Sequence, residues 1–192
     1  RLQELIQWGV ELDKNNSGEL DLGLEGGHSQ NRIVHHKDKT GLEIETKLIQ
    51  VVQNLANVTI RTSFFATDVL LDNQKCIGII GFDEKSEVTS IVAKATILAT
   101  GGSGQVFGVT SNPFVSTGDG VAMAYRAGAK LEKMKYIQFH PTALYEPNKS
   151  QAFLITEAIR GFGAHILNQK MERFVFQYHP DGELATRDIV SK

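Results

Sequence analysis

Between residues 66 and 92 the chain carries three short runs of β-branched, aliphatic and aromatic residues, at 66–71, 76–82 and 88–92. The polar triplets Asp72-Asn73-Gln74 and Asp83-Glu84-Lys85 separate them. Linkers that short turn each strand back on the one before, so the spacing predicts an antiparallel β meander. Residues 58–62 read as another strand. Just after the meander, Ala95-Thr96-Ile97-Leu98-Ala99 reads as a strand buried on both faces. Helical patterns flank this β-rich stretch. Leu48, Val51, Val52 and Leu55 share one helical face after Thr40, with Glu43 placed for a capping box and Asn57 closing the helix. Residues 1–8, about 119–127 ahead of Gly128, and about 155–161 read as further helices. The pattern is mixed α and β, in the α/β class.

Composition narrows the functional classes. The 192 residues suit one or two domains, and 41% hydrophobic residues are enough to fill a core. Twenty basic residues against 22 acidic ones give a formal charge of −2 and no basic footprint for nucleic acid. Apolar runs are too short for a membrane segment. The single Cys76 excludes an internal disulfide, fits a reducing compartment and is expected to pack as a core residue. His35 and His36 with Asp38 are a poor metal set, because adjacent histidines seldom share an ion and no second pair follows, so no metal is expected. The chain opens at Arg1 inside a helical pattern and stops abruptly at Lys192. Both ends read as cuts in a longer protein.

The run Gly102-Ser103-Gly104-Gln105-Val106-Phe107-Gly108 follows a predicted strand and invites comparison with a phosphate-binding loop. Asn112-Pro113 breaks the chain a few residues later, so no long helix can follow. The favoured reading is a glycine loop that lets backbone approach another group closely. Four polar clusters are candidates for chemistry: Glu25 with His28, Gln138-Phe139-His140-Pro141-Thr142, Glu157 with Arg160, and Arg187 with Asp188. Each has a plainer alternative. Glu157 and Arg160, three apart, suit a helix surface pair, Arg187 and Asp188 an exposed ion pair, and His140 a structural histidine.

Taken in order, these segments resemble the L-aspartate oxidase family of FAD flavoenzymes. The resemblance rests on Glu25-Gly26-Gly27-His28-Ser29, Arg32-Ile33-Val34-His35, Asp38, Thr40-Gly41, Ala99-Thr100-Gly101-Gly102 and Thr110-Ser111-Asn112-Pro113. It continues through Ser116-Thr117-Gly118-Asp119-Gly120, Gln138-Phe139-His140-Pro141-Thr142, Thr156-Glu157-Ala158-Ile159-Arg160-Gly161 and Glu183-Leu184-Ala185-Thr186-Arg187-Asp188. The later motifs are shared with succinate dehydrogenase and fumarate reductase flavoproteins, so membership of that flavoprotein group, partnered by an iron–sulfur protein, is the alternative. Phe162, Lys135 and Thr186 depart from the usual family pattern, which has glutamate, glutamate and proline there.

The resemblance implies part of an FAD-binding domain over residues 1–133, containing the meander, and the start of a capping domain over residues 134–192. It implies that Ala99, Thr100, Gly101, Gly102 and Asp119 contact FAD. His140 and Thr156 would bind substrate carboxylate, and Glu25 would orient the substrate ammonium. Arg187 would donate or accept the proton, with Glu157 and Arg160 as its relay. The implied activity is oxidation of L-aspartate to iminoaspartate with oxygen or fumarate as acceptor, in cytoplasmic NAD biosynthesis, with quinolinate synthase as a possible partner. The family's GxGxxG unit and C-terminal glycine-rich flavin segment have no counterpart in this sequence. The chain alone is therefore expected to be inactive, with exposed apolar edges and a tendency to self-associate.

Overall fold

A computed structural model describes residues 1–25 and 27–191. Gly26 of the Glu25 motif lies outside the described residues. Two compact units arise, one from residues 1–60 with 155–192 and the other from residues 61–154.

The second unit is built on the meander. Strands β3 (Phe65–Asp72), β4 (Lys75–Phe82) and β5 (Val88–Val92) pair antiparallel in that order, as the turn spacing predicts. Asn73 and Gln74 both have positive φ, 46° and 64°, the backbone of the tight turn that matches strand twist. At the other turn Asp83 Oδ1 accepts from the backbone N–H groups of Lys85 (2.9 Å) and Glu87 (3.1 Å). Helix α3 (Asp119–Arg126) packs on β3, where Arg126 donates to Asp68 Oδ1 at 2.5 Å. Gly128 at φ 83° follows its end. A short ladder, β6 (Ala143–Leu144) with β7 (Phe153–Leu154), completes this unit.

The first unit holds α1 (Leu2–Gln7), the two-residue ladder β1 (Leu22–Gly23) with β2 (Ile33–Val34), and α2 (Thr40–Gln53). The short helices α4 (Ala158–Gly161) and α5 (Arg187–Val190) belong to it too. Val10, Val175 and Ala185 are its buried apolar residues, while Met123 of α3 is buried in the second unit.

Several expectations are corrected. Residues 95–99 form no ladder among the described residues, and Ile97 is 89% exposed. Apolarity there reports what the segment is suited to bury, but no described strand lies alongside to pair with it. Residues 58–62 are also irregular, with Val58 and Ile60 exposed. The capping box does not form. Thr40 Oγ1 instead accepts from His36 N (3.0 Å), and Glu43 Oε1 accepts from Glu11 N (2.8 Å). Helix α2 closes at Asn54, earlier than Asn57. The helix expected near 155–161 shrinks to the single turn α4. Cys76 is half-buried, with its Sγ 3.8 Å from Gly78 O. No helix is long and apolar enough to cross a membrane among the described residues.

Candidate active site

Residues 155–191 bring together charges that lie far apart in sequence. In the first unit Glu157 stands at the start of α4 and is 6% exposed; Arg160, on the same turn, is 3% exposed. An exposed helix pair is thereby excluded. Glu157 Oε1 accepts from Arg160 Nη2, and Oε2 accepts from Arg187 Nε at 2.6 Å. One buried carboxylate is thus shared by two guanidinium groups, for a net charge of +1. Burial works to raise the Glu157 pKa. The Arg187 hydrogen bond and the two arginine charges outweigh it and hold the carboxyl below its ordinary value. Arg187 is more exposed than its partners, so it is the member of this trio open to a ligand.

Arg160 Nη1 donates to the backbone carbonyl of Glu183 at 2.6 Å. The Glu183 side chain is itself buried. It accepts from Arg173 Nη2 (2.8 Å), Arg173 Nε (3.2 Å) and Ile166 N (3.1 Å). The Arg173 hydrogen bonds, working against burial, lower its carboxyl from 4.5 to about 2. Because the folded-state value is depressed, the associated stability is complete above about pH 4.5 and is lost as pH falls towards 2. Arg173 is partly exposed, which discounts the contribution to on the order of 2 kcal/mol. Urea midpoints from pH 6 to pH 2.5 are expected to fall more steeply for the wild type than for Glu183→Gln. Parallel curves would contradict this account.

Glu25 lies beyond β1, half-buried. A cleft of about 390 Å³ is lined by Glu25, Thr156, Ala158, Phe162, His35 and Lys37, among others. Two contacts fix the Glu25 segment. A Cβ on Gly161 would come within 2.4 Å of Leu24 O, so α4 approaches that backbone through a bare glycine. Gly27 N donates to Leu184 O at 2.9 Å. His35 is held by Asp13, Nδ1 to Oδ2 2.9 Å, with Asp21 Oδ2 3.6 Å from its Nε2. Asp13 also accepts from Lys37 N, the largest cause of its lowered pKa. Among the described residues no cluster of three or more His, Cys, Asp or Glu forms a metal site.

The remaining candidates lie in the second unit. Gly102, Ser103, Gly104, Phe107, Phe139 and His140 are among the residues lining a cleft of about 590 Å³. His140 Nδ1 is 3.0 Å from Thr142 O and 3.3 Å from Thr142 N. Donation to the carbonyl makes Nε2 of the neutral ring an acceptor, so binding a carboxylate through Nε2 calls for the imidazolium or the other tautomer. Residues 104–106 form one 3₁₀ turn, not the start of a long helix, in keeping with the close-approach reading of this loop. A Cβ on Gly120 would lie 1.9 Å from Thr100 Oγ1, so α3 begins directly against the residue 100–104 loop. Asp119, in the first turn of α3, accepts from Thr117 Oγ1 at 2.7 Å.

A family model described as an FAD binding domain matches residues 1–192. The chain belongs to the FAD binding domain family. FAD is accordingly its cofactor, and the second unit fits one. Gly102 lines a cleft of ligand size, with Phe107 and Phe139 on its wall, edge to face at 5.6 Å. The resemblance to L-aspartate oxidases is borne out. The chloroplastic enzyme of Oryza sativa is 43% identical over all of this chain and 32% of its own length. That of a Nostoc species is 46% identical over all of this chain and 33% of its own. The chain spans about a third of the length of these curated relatives. Among solved structures, E. coli quinol fumarate reductase superposes at a TM-score of 0.91 with 29% identity, covering 99% of this chain and 34% of that one. Mycobacterium smegmatis Sdh1 superposes at 0.75 with 35% identity, covering 99% and 34%. The mixed α and β architecture is thus that of an FAD-binding flavoprotein.

Sequence reasoning missed Arg173 and Glu183 as parts of the site. Glu183 stands out in the sequence only as part of its motif, and a ten-residue separation from its partner gives no periodic signal.

Proposed function

We propose that the protein is an L-aspartate oxidase, a cytoplasmic FAD-dependent oxidoreductase that converts L-aspartate to iminoaspartate. The observation that carries the reading is the buried Arg187–Glu157–Arg160 relay, in the same unit as the cleft lined by Glu25 and Thr156. Aspartate carries two carboxylates and an ammonium. Thr156 donates to a carboxylate oxygen, and Glu25 accepts from the ammonium. Ala99, Thr100, Gly101, Gly102 and Asp119 would hold FAD, which would supply the hydride acceptor for oxidation at Cα. Loss of that hydride and of one proton turns the amine into the imine. Arg187 exchanges the proton. A guanidinium has a pKa far above neutrality and is a poor base by itself. Here the shared Glu157 carboxylate at 2.6 Å accepts what Arg187 gives up, and Arg160 keeps that carboxylate ionised between turnovers.

Oxygen or fumarate takes the electrons, and iminoaspartate goes on to quinolinate and NAD synthesis, with quinolinate synthase as partner. On this reading residues 1–133 are part of the FAD-binding domain and residues 134–192 begin a capping domain.

The second reading is a succinate- or fumarate-handling flavoprotein subunit that works with an iron–sulfur protein. Its support is the close superposition on E. coli quinol fumarate reductase. Glu25 discriminates. In the full-length enzyme Glu25→Gln is expected to lower kcat/KM for aspartate about ten- to a hundredfold, because the ammonium loses a charged acceptor. Turnover of a dicarboxylate without an amine should stay within about twofold, for want of any ammonium to lose. Equal losses on both substrates would favour the second reading.

A further inference from the structure

Consecutive backbone carbonyls on one turn serve two different parts of the candidate site. Glu183 O accepts from Arg160 Nη1 at 2.6 Å, and Leu184 O accepts from Gly27 N at 2.9 Å. The first anchors the far end of the relay. The second anchors the loop that follows Glu25. Both carbonyls belong to, or directly end, the single 3₁₀ turn Gly182–Leu184.

That turn is locked from its other side. The Glu183 side chain is 3% exposed and is gripped by both Nε and Nη2 of Arg173, with Ile166 N as a third donor. Arg173 lies 4.6 Å from the centroid of the Phe176 ring. The same ring seats Gly182, which has φ 53° and whose added Cβ would meet Phe176 at 2.6 Å. A guanidinium between a carboxylate and a ring face leaves the turn little freedom to shift.

We propose that the Arg173–Glu183 pair is a positioning clamp that sets the proton relay and the ammonium-binding loop together, through the carbonyls of Glu183 and Leu184. Neither residue touches substrate. They act through Arg160 and Gly27. The clamp couples two functions that chemistry needs at once: a base line correctly aimed at the substrate and an ammonium held in register with it. This inference rests on the active-site reading above, and its test is arranged to separate the two.

The test is made on the full-length holoenzyme, with rates expressed per bound flavin so that a loss of folded protein does not register. Arg173→Met is expected to lower kcat and raise KM for aspartate together, each about tenfold or more, since misplacement by a fraction of an ångström suffices. Arg173→Lys keeps the charge but not the fork, and is expected to recover part of both. Arg187→Met, by contrast, should lower kcat with little change in KM. Affinity for succinate, measured by equilibrium dialysis without turnover, should hardly change in Arg173→Met, because succinate has no ammonium for the loop to hold. Wild-type kcat and KM per flavin in Arg173→Met would overturn the clamp, as would a change in one parameter alone. Should Arg173→Met not retain flavin, Glu183→Gln is read in the same way. If the wild type proves to turn over fumarate and not aspartate, the aspartate reading fails. The relay arm of the clamp is then judged on fumarate turnover, where an unchanged kcat in Arg173→Met overturns it.

Discussion

Replacing Arg187 by methionine in the full-length enzyme is expected to lower kcat for aspartate by about 10³- to 10⁴-fold while KM changes little. The prediction follows from where the side chain sits. Arg187 is the partly exposed end of the proposed relay, whose other two members are buried, and its Nε lies 2.6 Å from Glu157 Oε2. Methionine keeps the approximate length and removes every donor. The Glu157 carboxylate then retains Arg160 as a partner, so the fold loses one ion pair but not the whole network. That separation matters, because removing Glu157 itself would leave two cations facing each other in a buried place and confound catalysis with stability. Arg187→Lys sharpens the test. Lysine restores a positive charge but no Nε at the branching position, so the bond to Glu157 Oε2 is lost or re-aimed. It is expected to remain at least about a hundredfold below wild type in kcat. Stopped-flow rates of flavin bleaching under anaerobic aspartate report the chemical step directly. A methionine variant that keeps more than a tenth of the wild-type rate would remove Arg187 from proton transfer. A large rise in KM at constant kcat would make it a substrate anchor instead.

The meander and α3 were legible in the sequence because their signals are local. Alternation between polar triplets fixes β3 to β5, and Gly118-Asp119 ahead of an apolar helical face fixes α3. The segment at 95–99 was misread because apolarity states a demand for neighbours without saying whether the chain supplies them. Thr40 and Glu43 have capping-box spacing, yet each is claimed by a competitor: Thr40 by His36 N, and Glu43 by Glu11 N across 32 positions. At the site, the three-residue spacing of Glu157 and Arg160 announced a pair but not its burial. Burial comes from the packing of α4 against the Gly182–Leu184 turn, which no local pattern encodes. The link from Arg187 back across 30 positions to Glu157 likewise depends on tertiary structure. It was reached through the family resemblance and not from spacing.

Gly120→Ala is expected to be strongly damaging to the second unit. Gly120 occupies the first turn of α3 and is buried. An added Cβ would lie 1.9 Å from Thr100 Oγ1 and 2.8 Å from both Thr100 Cβ and Cγ2. Rotating Thr100 about χ1 moves Oγ1 but not Cβ, so no rotamer relieves the overlap. Either α3 withdraws from the loop or its first turn unwinds, and both separate Asp119 from Thr100. Overpacking of this kind costs about 3 kcal/mol or more. In the full-length protein it should lower flavin affinity at least about tenfold, because Thr100 and Asp119 are proposed to contact the cofactor from either side of this contact. The cause can be isolated, since all three nearest atoms belong to the Thr100 side chain. Adding Thr100→Gly to Gly120→Ala removes every one of them and is expected to recover most of the stability, leaving a double-mutant coupling of about 2 kcal/mol or more. Urea midpoints of the four proteins, with bound flavin counted by visible absorbance, measure both effects. A Gly120→Ala protein with a wild-type midpoint and full flavin would mean that the helix and loop are not in the close contact from which their joint role in cofactor binding is argued.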